Sequence, residues 1–361
     1  MAYTTITDPS AYFQTVLYSG NGGGSNAITN DGNSNLQPDW VWVKERTSTS
    51  SHALTNSTNG AGYILSSNNT NEQTEATGLT AFSSDGFTLG GAGGYNGNGR
   101  TYVGWQWKAN GSTTSSNSDG TITSTVQANT TAGFSIVSYS GNGVNGATVG
   151  HGLGAQPEII FIKRTNVNAS GGGSNWPLRS TLLTAQQVMY LDLDAAAGNS
   201  TTMFNNTYPN ATTFTIGDNE ATNAYQTNHS FTGTYIAYCF KSIQGYSKFG
   251  SYTGNGSTDG PFIYTGFKPS FYLWKRTDAA VNWFIVDNKR DPFNETDVGL
   301  FPNTSGAESI GNGYNGVDFL SNGVKVRQSN SSINNSSGTY IYMAFAENPL
   351  VATNGVPTTA R

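Results

Sequence analysis

Three short motifs recur in the same order three times along the 361 residues, so the chain is built from one repeated unit. The first reads Tyr18-Ser19-Gly20-Asn21-Gly22, then Tyr139-Ser140-Gly141-Asn142-Gly143, then Tyr252-Thr253-Gly254-Asn255-Gly256. The second reads Pro38-Asp39-Trp40-Val41-Trp42-Val43-Lys44, Pro157-Glu158-Ile159-Ile160-Phe161-Ile162-Lys163 and Pro269-Ser270-Phe271-Tyr272-Leu273-Trp274-Lys275. Arg46-Thr47, Arg164-Thr165 and Arg276-Thr277 follow these copies. The third runs Tyr102 to Lys108, Tyr235 to Lys241 and Tyr340 to Phe345. Lengths between motifs differ, which places the insertions in surface loops. One inner pair survives in two copies, Asn175-Trp176 and Asn282-Trp283, with Ser51-His52 near that place in the first.

Each motif reads as strand. The second is apolar at both alternating sets of positions, so it is expected to be buried on both faces. Its proline is tolerated because it opens the strand. Gly-Asn-Gly supplies the positive-φ residues of a turn. Charged residues make up 11 % of the chain, against about 25 % in an average soluble domain. Aromatics at 12 % argue against disorder. Helical periodicity is almost absent, and the best candidate, residues 182–191, reads equally as loop and strand. The expected class is all-β, with three tandem antiparallel β-sandwich, jelly-roll-like repeats over 1–112, 113–245 and 246–361. Residues 109–119 read as a Ser/Thr/Asn/Gly linker. The second boundary has almost none, so repeats two and three are expected to pack together. The C-terminal tail from Val351 reads as irregular.

The chemistry is sparse. A net charge of −5 without a basic patch disfavours nucleic acid as a partner. No apolar run approaches the roughly 20 residues of a membrane span, and the first residues lack a signal-peptide layout. A single Cys239 excludes an internal disulfide and reads as a buried, inert thiol. His52, His151 and His229 fall at non-matching positions and read as incidental turn or solvent-facing residues. No HExxH, GxSxG or P-loop is present. The carboxylate pairs Asp192/Asp194 and Asp287/Asp291 recur in no other copy and read as solvated loops. Asp31-Gly32-Asn33 and Asp218-Asn219-Glu220 fall short of a calcium ligand set. The expectation is therefore a non-enzyme with no catalytic, metal or cofactor-binding residue. The Lys-Arg pairs track a core strand and read as structural. Sugar binding would use exposed aromatic faces, and Tyr95, Trp176, Tyr208, Tyr225, Trp283 and Tyr314 are the loop candidates for glycan or partner contacts. For each, a core role is the commoner alternative.

Four stretches carry a likeness to a known family: Phe249 to Gly256, Asp287-Asn288-Lys289-Arg290-Asp291-Pro292, Asp318 to Gly323 and Gly338 to Phe345. They resemble repeat proteins encoded by marine bacteriophages, described as tail-fibre-like or virion structural proteins. The resemblance covers nearly the whole chain. It implies a sandwich similar to concanavalin-like and laminin-G-like folds, a place on the virion surface at tail or head, and other virion proteins as partners. It further implies a homo-oligomer and a host surface glycan as a ligand, in a tail fibre or receptor-binding part. A capsid-decorating protein is the alternative, and a free lectin or glycan-degrading enzyme a more distant one.

Overall fold

A strand that is apolar on both faces needs a covering layer on each side, and every copy of the second motif receives both. In the computed structural model, residues 3–91, 93–167, 171–226, 231–311, 313 and 316–351 are described. The fold is all-β, and its named strands pair antiparallel. The first copy forms a sheet from β1 (Phe13–Ser19), β2 (Trp40–Glu45), β3 (Ala53–Asn56) and β4 (Thr101–Trp107), in the order β1-β4-β2-β3. The second forms β5 (Phe134–Ser140), β6 (Ile159–Arg164), β7 (Pro177–Ser180) and β8 (Thr234–Phe240), ordered β5-β8-β6-β7. The third forms β9 (Ser247–Thr253), β10 (Phe267–Arg276), β11 (Phe284–Asp287) and β12 (Thr339–Pro349), ordered β9-β12-β10-β11. The register repeats as well: Trp42 lies opposite Trp105, Phe161 opposite Tyr238 and Leu273 opposite Met343.

One face of all three sheets contributes to a single core. Trp40, Trp42, Trp105 and Trp107 pack there with Phe161, Tyr238, Phe240, Phe271, Leu273, Met343 and Phe345. Trp40 stacks on Tyr238 at 4.3 Å, Phe13 on Phe345 at 5.0 Å, and Phe240 meets Phe345 edge-on at 6.1 Å. The opposite face of each sheet is closed by its own small outer sheet, of three, two and three strands. Val41 and Val43 meet Phe87 and Leu89. Ile160 and Ile162 meet Val149 and Phe214. Tyr272 and Trp274 meet Phe319 and Val324. These outer layers are smaller than a jelly roll's. Residues 109–119 are tied down. Asp39 accepts the N–H groups of Ala109, Gly111 and Ser112, and Ser115–Asn117 pairs with Ser124–Asn129 beside β5. The ambiguous segment 182–191 is a turn leading into the strand Gln187–Tyr190.

The first and third motifs meet in a local knot. Tyr18 stacks on Tyr102, Tyr139 on Tyr235 and Tyr252 on Tyr340, at 5.0, 5.0 and 4.7 Å. Each pair clamps a four-residue helix, Gly93–Asn96, Glu220–Asn223 or Ser331–Asn334. The helix ends on a fully buried Asn whose oxygen accepts the N–H of Asn21, Asn142 or Asn255. A side chain at Gly20 or Gly254 would meet a carbonyl oxygen at 2.2 Å, which is why the motif keeps glycine there.

The copies interlock in a cycle. Trp176 Nε1–H of the second donates to Ser66 O of the first at 2.8 Å, and Trp283 Nε1–H of the third donates to Tyr190 O of the second at 2.8 Å. His52 of the first bonds Phe301 O of the third through Nε2 at 3.0 Å. A backbone bond accompanies each: Ser174 N to Thr70 O, Val281 N to Asp194 O and Ser50 N to Ser305 O. The donors sit two residues before the ring residue, and the acceptors four residues after the first carbonyl, at all three seams. The three copies therefore close a ring around the shared core.

Candidate functional site

Most residues singled out from sequence are consumed by this architecture. Trp176 and Trp283 are fully buried, so their faces are closed to any ligand; they act as seam bolts. Tyr95 is buried on the helix that Tyr18 clamps. Tyr208 is 40 % exposed, but its hydroxyl donates to Leu183 O and the Arg179 guanidinium lies 4.6 Å from its ring centre. Tyr225 pairs through its backbone with Thr232, and its side chain lies outside the described residues, as do Tyr314 and His229. Exposed aromatics that sequence reasoning missed are Tyr63, Phe293 and the pair Phe262 and Tyr264, the last two 46 % and 55 % exposed and alternating on one strand. The alternation in Phe262-Ile263-Tyr264 was the available signal.

The ionisable candidates are likewise structural. His52 and His151 are buried with both ring nitrogens engaged, not solvent-facing. Trp42 Nε1–H donates to His52 Nδ1 at 2.8 Å, which leaves Nε2 to carry the proton toward Phe301 O. Burial, then Lys44, push the His52 pKa down to about 3. Asp192 is not a solvated loop residue: it is buried, accepts the Trp176 N–H, and desolvation raises its pKa. Asp287 is fully buried between Arg290 at 2.6 Å and Trp105 Nε1–H at 3.1 Å. Lys44, Lys163 and Lys275 are fully buried at the end of each second motif, and each ammonium donates to a backbone carbonyl. Burial pushes all three down to about 8. The Cys239 thiol is buried and pushed up to about 12. Among the described residues no group of three or more His, Cys, Asp or Glu gathers as a metal site.

What remains follows from the ring itself. Three copies in a ring have three seams but only two connecting segments. At the seam of copies one and two, the connection fills the gap. Gln127 Nε2 donates to Ser57 and Thr58, and Asn129 Nδ2 to Ala109 O. At the seam of copies two and three, Glu158 holds Ser242 N at 2.7 Å, and Ser242 Oγ accepts from Phe249 N. Among the described residues no connecting segment runs from copy three back to copy one, and a cleft of about 350 Å³ opens there. It is lined from the first copy by Phe13, Gln14, Thr15, Asp31 and Asn33, and from the third by Ser270, Asn288, Lys289, Glu347 and Asn348. Ser270 stands where the other copies place Asp39 and Glu158 after the motif proline.

The cleft is polar and locally balanced in charge. Lys289 Nζ reaches both oxygens of Asp31 at 2.8 Å across the seam. Glu347 meets Lys268 at 3.2 Å and accepts from Asn288 Nδ2 at 2.7 Å. Gln14 is fixed by Gly32 N, Ser10 O and Ser34 O. Thr15 is 5 % exposed, and its hydroxyl has no hydrogen-bond partner among the described residues. A buried, unpaired hydroxyl costs roughly 1–3 kcal/mol, and this one belongs to a residue of the cleft wall. Below the seam, Arg46 clasps Glu308 through two bonds of 2.8 Å and ties the first copy to the third.

A family model described as a domain of unknown function (DUF7483) matches residues 8–349, so one family unit spans all three copies. Neither a curated protein nor a solved structure matches the chain.

Proposed function

The chain belongs to the DUF7483 family, and we propose that it is a non-catalytic adhesive component of a phage particle, a tail-fibre or receptor-binding part that offers the open seam to a host surface glycan. The observation that carries this reading is the composition of the seam cleft: amides, hydroxyls and lysine-paired carboxylates around a buried, unpartnered hydroxyl. Such a surface binds polar ligands without an unpaired acid and base poised for chemistry. A ring locked by a common core and three interlocked seams gives that surface a rigid support, which binding sites favour. The resemblance of the chain's repeated motifs to those of phage virion proteins is what suggests a place on the particle. No helix among the described residues is long and apolar enough to cross a membrane.

Immunogold electron microscopy tests the location, using antibody to this chain on phage particles whose genome encodes it. Gold on the tail is the expected result. Gold over the head would move the protein to capsid decoration. Absence of gold from particles with accessible epitopes would overturn the virion reading. Because Asp31 and Glu347 face one cleft, reducing-sugar release from host polysaccharide would overturn the non-catalytic one.

A further inference from the structure

The geometry points to the seam between the third and first copies as a binding site for a neutral polyhydroxylated ligand, a short uncharged glycan. This deepens the adhesive reading and rests on it. The volume of about 350 Å³ lies at the small end of ligand pockets, which span roughly 300–1,000 Å³, and suits a short oligosaccharide. Charge selects among polar ligands. Asp31 is held by Lys289 of the wall, and Glu347 by Lys268 behind it, so each wall carboxylate is paired with an ammonium. An anionic ligand would compete with two carboxylates, and a cation with two ammonium groups. Neutral hydroxyls exchange hydrogen bonds with both without breaking either pair. Asn33, Asn288 and Asn348 supply carboxamides that donate and accept, as vicinal hydroxyls require. Phe13 and Ala346 lie buried beneath the floor, so hydrogen bonds rather than stacking carry the recognition. The Thr15 hydroxyl at the cleft wall has no hydrogen-bond partner among the described residues, an observation independent of the cleft's volume and charge.

The equivalent positions explain why this cleft has no counterpart at the same place in the other two seams. The first seam is filled there by Asp39 with Gln127 of the second copy, and the second by Glu158 with Ser242, whereas the third presents only Ser270, whose hydroxyl is already bonded to Phe345 O.

The test is a panel of neutral trisaccharides (maltotriose, cellotriose, laminaritriose, xylotriose, chitotriose) read by ligand-detected NMR and calorimetry on the full chain. Heparin and oligo-lysine serve as charged arms. At least one neutral sugar is expected to bind. Thr15→Val should weaken it roughly three- to tenfold, the worth of one hydrogen bond, with thermal stability retained or raised. Thr15→Ser, which keeps the hydroxyl, should restore it. Ser270→Glu, which installs the acid of the filled seam, should abolish binding. Binding unchanged in Thr15→Val and Ser270→Glu would place the ligand elsewhere and overturn the inference. So would binding confined to a charged arm, or no binding at all. A protein that binds sugar through the cleft but labels no particle would leave the inference standing and sink the virion reading.

Discussion

Lowering the pH from 7 to 5 should weaken the ring at His52, by an amount that follows from its surroundings. His52 takes the place that Trp176 and Trp283 hold in the other copies, and the reason is Trp42. The corresponding Phe161 and Leu273 have no polar atom, whereas Trp42 brings an indole N–H into the core and needs an acceptor. Imidazole alone among the ring residues at these seams accepts at one nitrogen and donates at the other. That role requires the neutral form, and burial followed by Lys44 hold the pKa near 3 against an ordinary 6.5. Between those values the unfolded chain binds a proton that the folded chain refuses. The stabilisation is therefore intact above pH 6.5 and is lost progressively as pH falls toward 3. From pH 7 to 5 the loss is about 2 kcal/mol. Carboxylates and His151 also titrate, so the assay is a difference: urea unfolding of the native chain and of His52→Gln, each at pH 7 and pH 5. Glutamine offers an acceptor for Trp42 and a donor for Phe301 O but no titration. Its deficit relative to the native chain should shrink by about 2 kcal/mol at pH 5. An unchanged difference, or a His52 ring resonance that titrates near pH 6.5 in the folded protein, would refute the buried neutral bridge.

Three further outcomes are expected. Lys163→Met should cost about 1–3 kcal/mol at pH 7, because it strands the Ser174 carbonyl and leaves the buried Asp192 without its cation. Its cost should grow between pH 8 and 10 in thermal melts, since the native lysine, lowered to about 8, leaves the folded state neutral there while the unfolded chain still holds the proton. Asn334→Ala should cost at least about 2 kcal/mol in urea unfolding, because it removes a fully buried carboxamide that holds backbone groups of Asn255, Ser257 and Gln328; Asn335→Ala, at a half-buried position, should cost far less. A circular permutant that joins the ends through a Gly/Ser linker and opens the chain between Gly111 and Thr113 should fold with a similar melting temperature by circular dichroism. Thr4 and Pro349 both lie against Gly245, so the first and last described segments meet, and a permutant without cooperative melting would count against the closed ring.

The strand pattern was legible because it is local. Alternation in Trp40-Val41-Trp42-Val43 specifies two buried faces, and the structure uses one for the common core and one for the outer layer. The sequence does not say that the first of these faces is shared by all three copies, because a sandwich standing alone would show the same alternation. The aromatic candidates failed for a related reason. Asn175-Trp176 and Asn282-Trp283 sit in polar, Gly-rich surroundings that read as exposed loop, but the loop folds under the neighbouring copy, and the burial comes from residues more than ninety positions away. The clamped Asn96, Asn223 and Asn334 were invisible amid an Asn-rich composition, although each follows its copy's last insertion and precedes the third motif. The cleft had one trace in the sequence, the change from Pro-acid to Pro-Ser in the third copy.

That trace also bears on where function can sit in such a ring. Residues that all three copies hold in common are engaged in tyrosine clamps, buried amides and seam bonds, so substitution there threatens the fold before any ligand. Two seams are filled beside Asp39 and Glu158 by backbone and side chains that the connecting segments bring together. The third, besides its backbone bonds Ser50 N to Ser305 O and Glu308 N to Arg46 O, is held by side-chain pairs, Lys289 with Asp31 at the cleft and Arg46 with Glu308 away from it. Exposed pairs of the first kind are worth roughly 0–1 kcal/mol, little enough for a ligand to rearrange. Repetition thus supplies stability three times over, and the unavoidable break in the cycle leaves one surface whose side chains are free to be shaped by what they bind.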